Sequence, residues 1–222
     1  MAWEHGWLYG WRDVSNATNE RTAIPAFLPR SAVGHTFPLL FSAQPPPLVA
    51  ALCAVQSSLV FDYVSRQKIT GAHMALMTWK QLPVPHPERL KPHLGFLVPR
   101  VLELVYTAHD MEPLARDLGY EGPPLAWDEE RRAAIRAELD AYVFHLYGLD
   151  REDTACVLET FRTERGGLMN NEIARYGTYR TKDIVLEAFD RMAWIGVDLE
   201  RPLADGWGIG STLVPVPRRG NL

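Results

Sequence analysis

Apolar residues recur at spacings of three and four from Leu48 through Leu52, Val55 and Leu59 to Tyr63, the pattern of a single helix face. The run Gln44-Pro45-Pro46-Pro47 stands just ahead of it, and proline is tolerated in a first helical turn. The spacing therefore predicts a helix from about Pro47 to Arg66. Upstream the pattern is shorter and broken. Arg21 to Arg30 and His35 to Phe41 are β-rich in places and interrupted by prolines, which confines them to edge strands or strand ends. Downstream, Arg66 to His73 reads as a polar, basic loop with Gly71 inside it. The short apolar piece Met74 to Trp79 then leads into Leu82-Pro83-Val84-Pro85-His86-Pro87, which proline geometry keeps extended.

From Val98 the chain reads helical. Val101, Leu102, Val105 and Ala108 form a stripe after Pro99, and a second piece runs to Leu118 before Gly119. The clearest element follows Trp127. Asp128 is an N-cap, Glu129 and Glu130 occupy the first turn, Ile135, Leu139, Tyr142 and Leu146 make the apolar face, and Gly148 closes the helix. Asp150 caps a shorter helix towards Phe161, and Arg165 to Asn171 reads as a loop. A final helix spans about Thr181 to Trp194 on Ile184, Val185, Ala188, Phe189 and Met192. The expected fold class is α+β. A small strand-and-helix region (1–96) precedes a mainly helical region (97–195) and a Gly/Pro-rich tail (196–222) that wraps as coil.

Composition narrows the class without naming a function. The chain has 222 residues, 47% hydrophobic and 23% charged, which excludes disorder, collagen-like repeats and a coiled-coil rod. The longest purely apolar run, Leu48 to Val55, is far short of a membrane span, and MAWEHGWLYG lacks the basic and greasy stretches of a signal peptide. Cys53 and Cys156 both fall in helix-like apolar patterns and read as buried thiols. These features predict a soluble cytoplasmic protein with no membrane partner. Net charge is −4, yet residues 1–100 carry nine Lys/Arg against five Asp/Glu and residues 101–222 carry fourteen against twenty-two. That asymmetry suggests a division of labour between the halves, and it also fits an acidic helical surface with no such meaning.

Catalytic signatures are missing. No Cys/His set has metal-ligand spacing, no phosphate-cradling glycine loop follows a strand, and no G-x-S-x-G elbow occurs. The Gly206-Trp207-Gly208-Ile209-Gly210 run reads as a turn, and the acids at helix starts are explained by the macrodipole. His109 and Asp110 are adjacent on a helix end and point apart. No E-x-K triplet of the kind nucleases use is present. The chain by itself is expected to have no catalytic residues, metal or cofactor. What remains is a polar and basic set: Arg21, Arg30, His35 and Thr36 beside the short strands, then Arg66, Gln67, Lys68, Thr70 and His73 in one loop, and Lys80 beyond it. Such side chains hold phosphates or read base edges, and Gly71 allows close backbone approach. The same residue types also suit an ordinary solvated loop.

Longer motifs bear on that choice. Gly10-Trp11-Arg12-Asp13, Thr18-Asn19-Glu20-Arg21-Thr22 and Leu28-Pro29-Arg30-Ser31-Ala32-Val33-Gly34-His35-Thr36 resemble the C-terminal target-recognition region of large adenine-specific DNA methyltransferases. These are the bacterial type IIG restriction-modification and related phage-defence enzymes, whose recognition regions are similar to a repeat of type I specificity subunits. Gln56-Ser57-Ser58-Leu59-Val60-Phe61-Asp62-Tyr63 with Arg66-Gln67-Lys68, Lys80-Gln81-Leu82-Pro83-Val84, Trp127 to Arg132, Leu139 to Tyr142, His145 to Leu149 and Gly177 to Lys182 continue the likeness in order. Thr70 and Ala72 depart from the family's loop, where a glycine and a threonine are usual. The N-P-P-Y/F motif of the catalytic domain does not occur.

The resemblance implies sequence-specific recognition of double-stranded DNA as the specificity part of such a system, with S-adenosylmethionine bound by a domain not in this chain. The piece is then an excised fragment, a broken gene or a separately encoded subunit. Arg21, Arg30, Lys68 and Lys80 would neutralise phosphates, and His35, Gln67, Thr70 and His73 would meet base edges, with Thr36 and Arg66 beside them. The acidic helices would face a methyltransferase or restriction domain. The competing reading is a subunit-docking helical module without DNA binding of its own, which an exposed strip of Trp127, Tyr142 and Tyr147 would support.

Overall fold

The computed structural model describes residues 3–163, 166–204 and 206–213. Two antiparallel strands open the chain, β1 (Trp7–Trp11) and β2 (Pro25–Pro29), paired in register from Trp7 opposite Pro29 to Trp11 opposite Pro25. Both prolines sit at the ends of β2, where a missing N–H costs least. The sequence WLYGW has the aromatic content of a strand, and all five of its residues are buried. The expected strand over His35 to Phe41 does not form. That segment lies along the free edge of β1, with Leu40 N–H donating to Tyr9 O at 2.8 Å and Trp11 N–H to Pro38 O at 3.2 Å. Pro38 has no N–H to continue a ladder, so only the single bridge Gly10–Leu39 results. The close approach needs Gly10, since a Cβ there would sit 2.1 Å from the Pro38 carbonyl.

The predicted first helix is two: α1 (Pro46–Ser57) and α2 (Leu59–Lys68), bent by 64°. Ser58 makes the break: its hydroxyl donates to Val55 O at 2.7 Å, and its Oγ accepts from Phe61 N–H at 3.3 Å. Asp140, from the other half of the chain, accepts Leu59 N–H at 2.6 Å and so caps α2 across the core. Short α3 (Leu76–Trp79) and α4 (Pro87–Leu90) follow.

The second half is helical, as expected: α5 (Leu94–Val105), α6 (Glu112–Asp117), α7 (Glu129–Leu146), α8 (Arg151–Glu159), α9 (Leu168–Tyr176) and α10 (Arg180–Ile195). The helix expected to start at Val98 begins four residues earlier. Pro99 lies inside it, and the carbonyl that loses its partner belongs to solvent-exposed Gly95. The loop expected up to Asn171 instead gives way to α9 at Leu168; Arg165 lies outside the described residues. Asp128 and Asp150 cap α7 and α8 as predicted, accepting Arg131 N–H at 2.7 Å and Asp153 N–H at 2.8 Å. Cys156 is exposed, contrary to expectation, because Thr154, Val157 and Leu158 supply the inward face of α8; Cys53 is buried.

One apolar core joins both halves, running from Trp7 and Tyr9 through α1, α5, α7 and α10 to Leu213. Within it lies an ion pair, Arg100 to Glu138 at 2.7 Å, with side chains 2% and 0% exposed. The segment after α10 crosses α5 and α7 as coil in its described part and is tied down by polar contacts. Trp207 O accepts from Arg100 at 3.2 Å, Ser211 O accepts from Arg131 at 2.9 Å, and Leu213 N–H donates to Glu138 at 2.5 Å. His93 joins the same strap. Its Nε2 donates to Leu199 O at 3.1 Å, and its Nδ1 accepts the Tyr142 hydroxyl at 2.8 Å. No single helix among the described residues is long and apolar enough to cross a membrane.

Candidate nucleic-acid interface

A second, smaller apolar cluster sits apart from the main core: Trp11, Ala23, Phe61, Met74, Trp79 and Leu82. Trp11 and Trp79 stack, and Phe61 meets Trp79 edge-on at 5.4 Å. The Trp11 indole N–H donates to Met74 O at 2.8 Å. This cluster is the floor on which three loops meet.

The loops are joined through the chain just after β1. Asp13 N–H donates to Thr36 O at 2.9 Å, Ser15 N–H to Ala72 O at 3.0 Å, and Met74 N–H to Asp13 O at 2.7 Å. Val14 and His73 form an antiparallel bridge. The Asp13 carboxylate then takes His73 Nδ1 at 2.8 Å. The result is one edge carrying exposed Arg12, His35, Thr36 and His73, with Gln67, Lys68 and Thr70 exposed at the end of α2 and in the loop that follows it. Backbone pairing holds the loops while the side chains stay exposed, His73 with its Nδ1 taken by Asp13, an arrangement suited to contacts with an extended polar partner.

Not every residue singled out from the sequence belongs to that edge. Arg66 is held inward, its side chain 6% exposed. Its guanidinium donates to the carbonyls of Ala17, Asn19 and Glu20 at 3.1, 2.7 and 2.9 Å and lies 4.3 Å over the Phe161 ring. Burial pulls its pKa down and Asp62 pulls it back up. Arg66 is therefore a clamp on the Ala17–Glu20 turn; its Nε has no hydrogen-bond partner but is buried, out of reach of a phosphate. Arg21 also turns away, towards Ser57 O at 3.3 Å and Asp140 at 3.5 Å. Arg30 is exposed, but its N–H donates to Gly6 O, which places it at the opposite end of the hairpin. That end is about 15 Å from Trp11 along the strand. Lys80 is exposed one residue beyond α3.

Two members of the edge, Arg12 and Asp13, were part of the family-like motif but were not singled out as site residues. Their signal was present: a charged pair directly after an aromatic strand. Buried Asp62 explains why the preceding loop has a fixed shape, since its Oδ1 accepts the N–H groups of Thr22 and Ala23, both at 2.8 Å. The three-ring strip that would mark a docking face does not form. Trp127 is 62% exposed and lies over Arg132, but Tyr142 is fully buried and Tyr147 is largely covered, donating its hydroxyl to Pro83 O at 2.6 Å. Among the described residues no group of His, Cys, Asp or Glu is placed to hold a metal ion. Comparison with family models, with curated proteins and with solved structures finds no match.

Proposed function

We propose that this chain recognises double-stranded DNA in a sequence-specific manner, as the non-catalytic specificity part of a restriction-modification or adenine DNA methyltransferase system. The observation that carries the reading is the convergence of three loops on one edge, with Arg12, His35, Thr36, Lys68, Thr70 and His73 exposed over the Trp11–Trp79 floor. Lys68 and Arg12 supply cations for phosphates, while His35, Gln67, Thr70 and His73 supply donors and acceptors for base edges. Arg30 and Lys80 are exposed and lie outside that edge, available to backbone phosphates further along a duplex. S-adenosylmethionine and the transfer chemistry belong to a partner domain or subunit in this reading. The motif likeness to target-recognition regions supports it, and the missing three-ring strip removes the main argument for a docking module.

The test is selection from a randomised duplex pool with the purified chain, followed by binding anisotropy at two salt concentrations. An enriched motif, with affinity falling steeply as salt rises, is the expected result. A pool that stays random, with no salt-dependent binding, overturns autonomous recognition.

A further inference from the structure

A second polar region shares no residue with the loop edge. A cleft of about 880 Å³ is walled by α7, α9, the first turn of α10 and the Glu20–Arg21 segment. Its charged groups are unequally committed. Each carboxylate already holds a close donor. Glu130 takes Arg180 through two oxygens at 3.1 and 2.5 Å, and Glu172 takes both the N–H and the hydroxyl of Thr181 at 2.7 and 2.6 Å. Asp140 caps Leu59, Glu129 accepts the Trp127 indole N–H at 2.9 Å, and Glu20 accepts the Asn171 amide.

The guanidinium groups other than Arg180 are not matched in this way. Arg21 reaches its acceptors only at 3.3 and 3.5 Å, and Arg136 only at 3.3 Å to Arg132 O and 3.6 Å to Glu129. Arg175 makes no hydrogen bond or ion pair among the described residues, and lies 5.0 Å over the ring of Tyr176. Three arginines with unused donors on one concave surface are what an oxyanion with several acceptor oxygens requires. The volume is in the range of small-ligand sites. Tyr176 leaves part of its ring open, and the wall carboxylates have acceptor capacity left for sugar hydroxyls.

We propose that this cleft binds the phosphate of a nucleotide, with Arg21, Arg136 and Arg175 as its donors. The inference does not depend on the loop edge reading DNA. Calorimetric titration of the full chain with thymidine 5′-monophosphate, thymidine, inorganic phosphate and a short duplex tests it. Thymidine 5′-monophosphate binds, and thymidine binds about ten-fold more weakly or worse, the cost of losing one charge-assisted contact. Arg136→Ala with Arg175→Ala weakens the monophosphate by a similar factor without moving the melting temperature, because both side chains are exposed. Lys68→Ala leaves monophosphate binding unchanged.

The duplex arm identifies the source. If the double variant also weakens the duplex, the phosphate is that of a nucleic-acid strand; if it does not, the ligand is a free nucleotide. Absence of binding by the monophosphate, inorganic phosphate and duplex alike, equal binding of thymidine and its monophosphate, or full affinity in the double variant overturns the proposal.

Discussion

The indole of Trp11 lies flat against that of Trp79, with ring centroids 4.7 Å apart and planes 6° from parallel. Sixty-seven residues of chain separate them, so one stack couples the end of β1 to the end of α3. Trp79→Ala removes it. The expected cost is about 3–5 kcal/mol in urea unfolding. Because this cluster is separate from the main core, amide exchange at Ser15 and Met74, which tie the loops together, should accelerate more than exchange at Leu97. Uniform acceleration would show that the two clusters unfold as one.

The neighbours Arg66 and Lys68 should behave in opposite ways. Lys68→Ala leaves stability within about 0.5 kcal/mol and reduces the salt dependence of duplex binding by about one unit of log–log slope. Arg66→Ala strips the clamp from the Ala17–Glu20 turn and takes the counter-charge from buried Asp62, which keeps only its two backbone N–H donors, at a cost of about 3 kcal/mol. Denaturant midpoints and anisotropy at two salt concentrations read both. An unchanged slope in Lys68→Ala counts against a phosphate contact there.

The buried pair Arg100–Glu138 gives a third expectation. Glu138→Ala strands a guanidinium in the core and costs about 3–5 kcal/mol. Replacing both together, Arg100→Met with Glu138→Leu, recovers part of that loss. It does not recover all, because Leu213 N–H loses its partner in both variants and Trp207 O loses its own in the double one. A double variant no better than Glu138→Ala would remove charge burial as the cause.

Acid sensitivity follows from His93 and His145. Burial pushes both imidazoles below their ordinary pKa, and each donates from Nε2 to a backbone carbonyl, Leu199 and Phe189. Below the ordinary histidine value of about 6.5 the unfolded chain therefore takes up protons that the folded chain does not. Stability is complete above that value and falls as pH drops towards the folded-state pKa values. The urea midpoint should be lower at pH 5.5 than at pH 7.5, with a smaller difference in His93→Gln. An equal difference in that variant assigns the effect to other groups.

Local signals were legible in the sequence where one residue decides the geometry. Asp128, Asp150 and Gly148 mark helix ends with side-chain chemistry or a left-handed backbone, and each stands where the pattern placed it. What could not be read is set by partners distant in the chain. The break at Ser58 depends on Asp140, 81 residues beyond the Leu59 N–H it caps. Tyr142, on the apolar face of α7, gave no sign of the His93 relay. Arg66 and Lys68 are alike by composition, and only the Ala17–Glu20 turn packing against α2 makes one a clamp and leaves the other exposed. The exposed edge was half visible: its cations and histidines are present in the sequence, but the bridge that sets His73 beside Asp13 is a property of the fold.

The strap over α5 and α7 bears on the order in which the molecule can be completed during synthesis. Glu138 waits for a backbone N–H 75 residues further along, and Arg100 for a carbonyl 107 residues further along. When the two helices leave the ribosome, their buried pair still lacks the groups that finish its solvation. A nascent chain halted after α10 would hold every helix described here and an incomplete polar centre. The irregular segment that completes this centre is thus synthesised after every helix described here, and the helices precede their own lock.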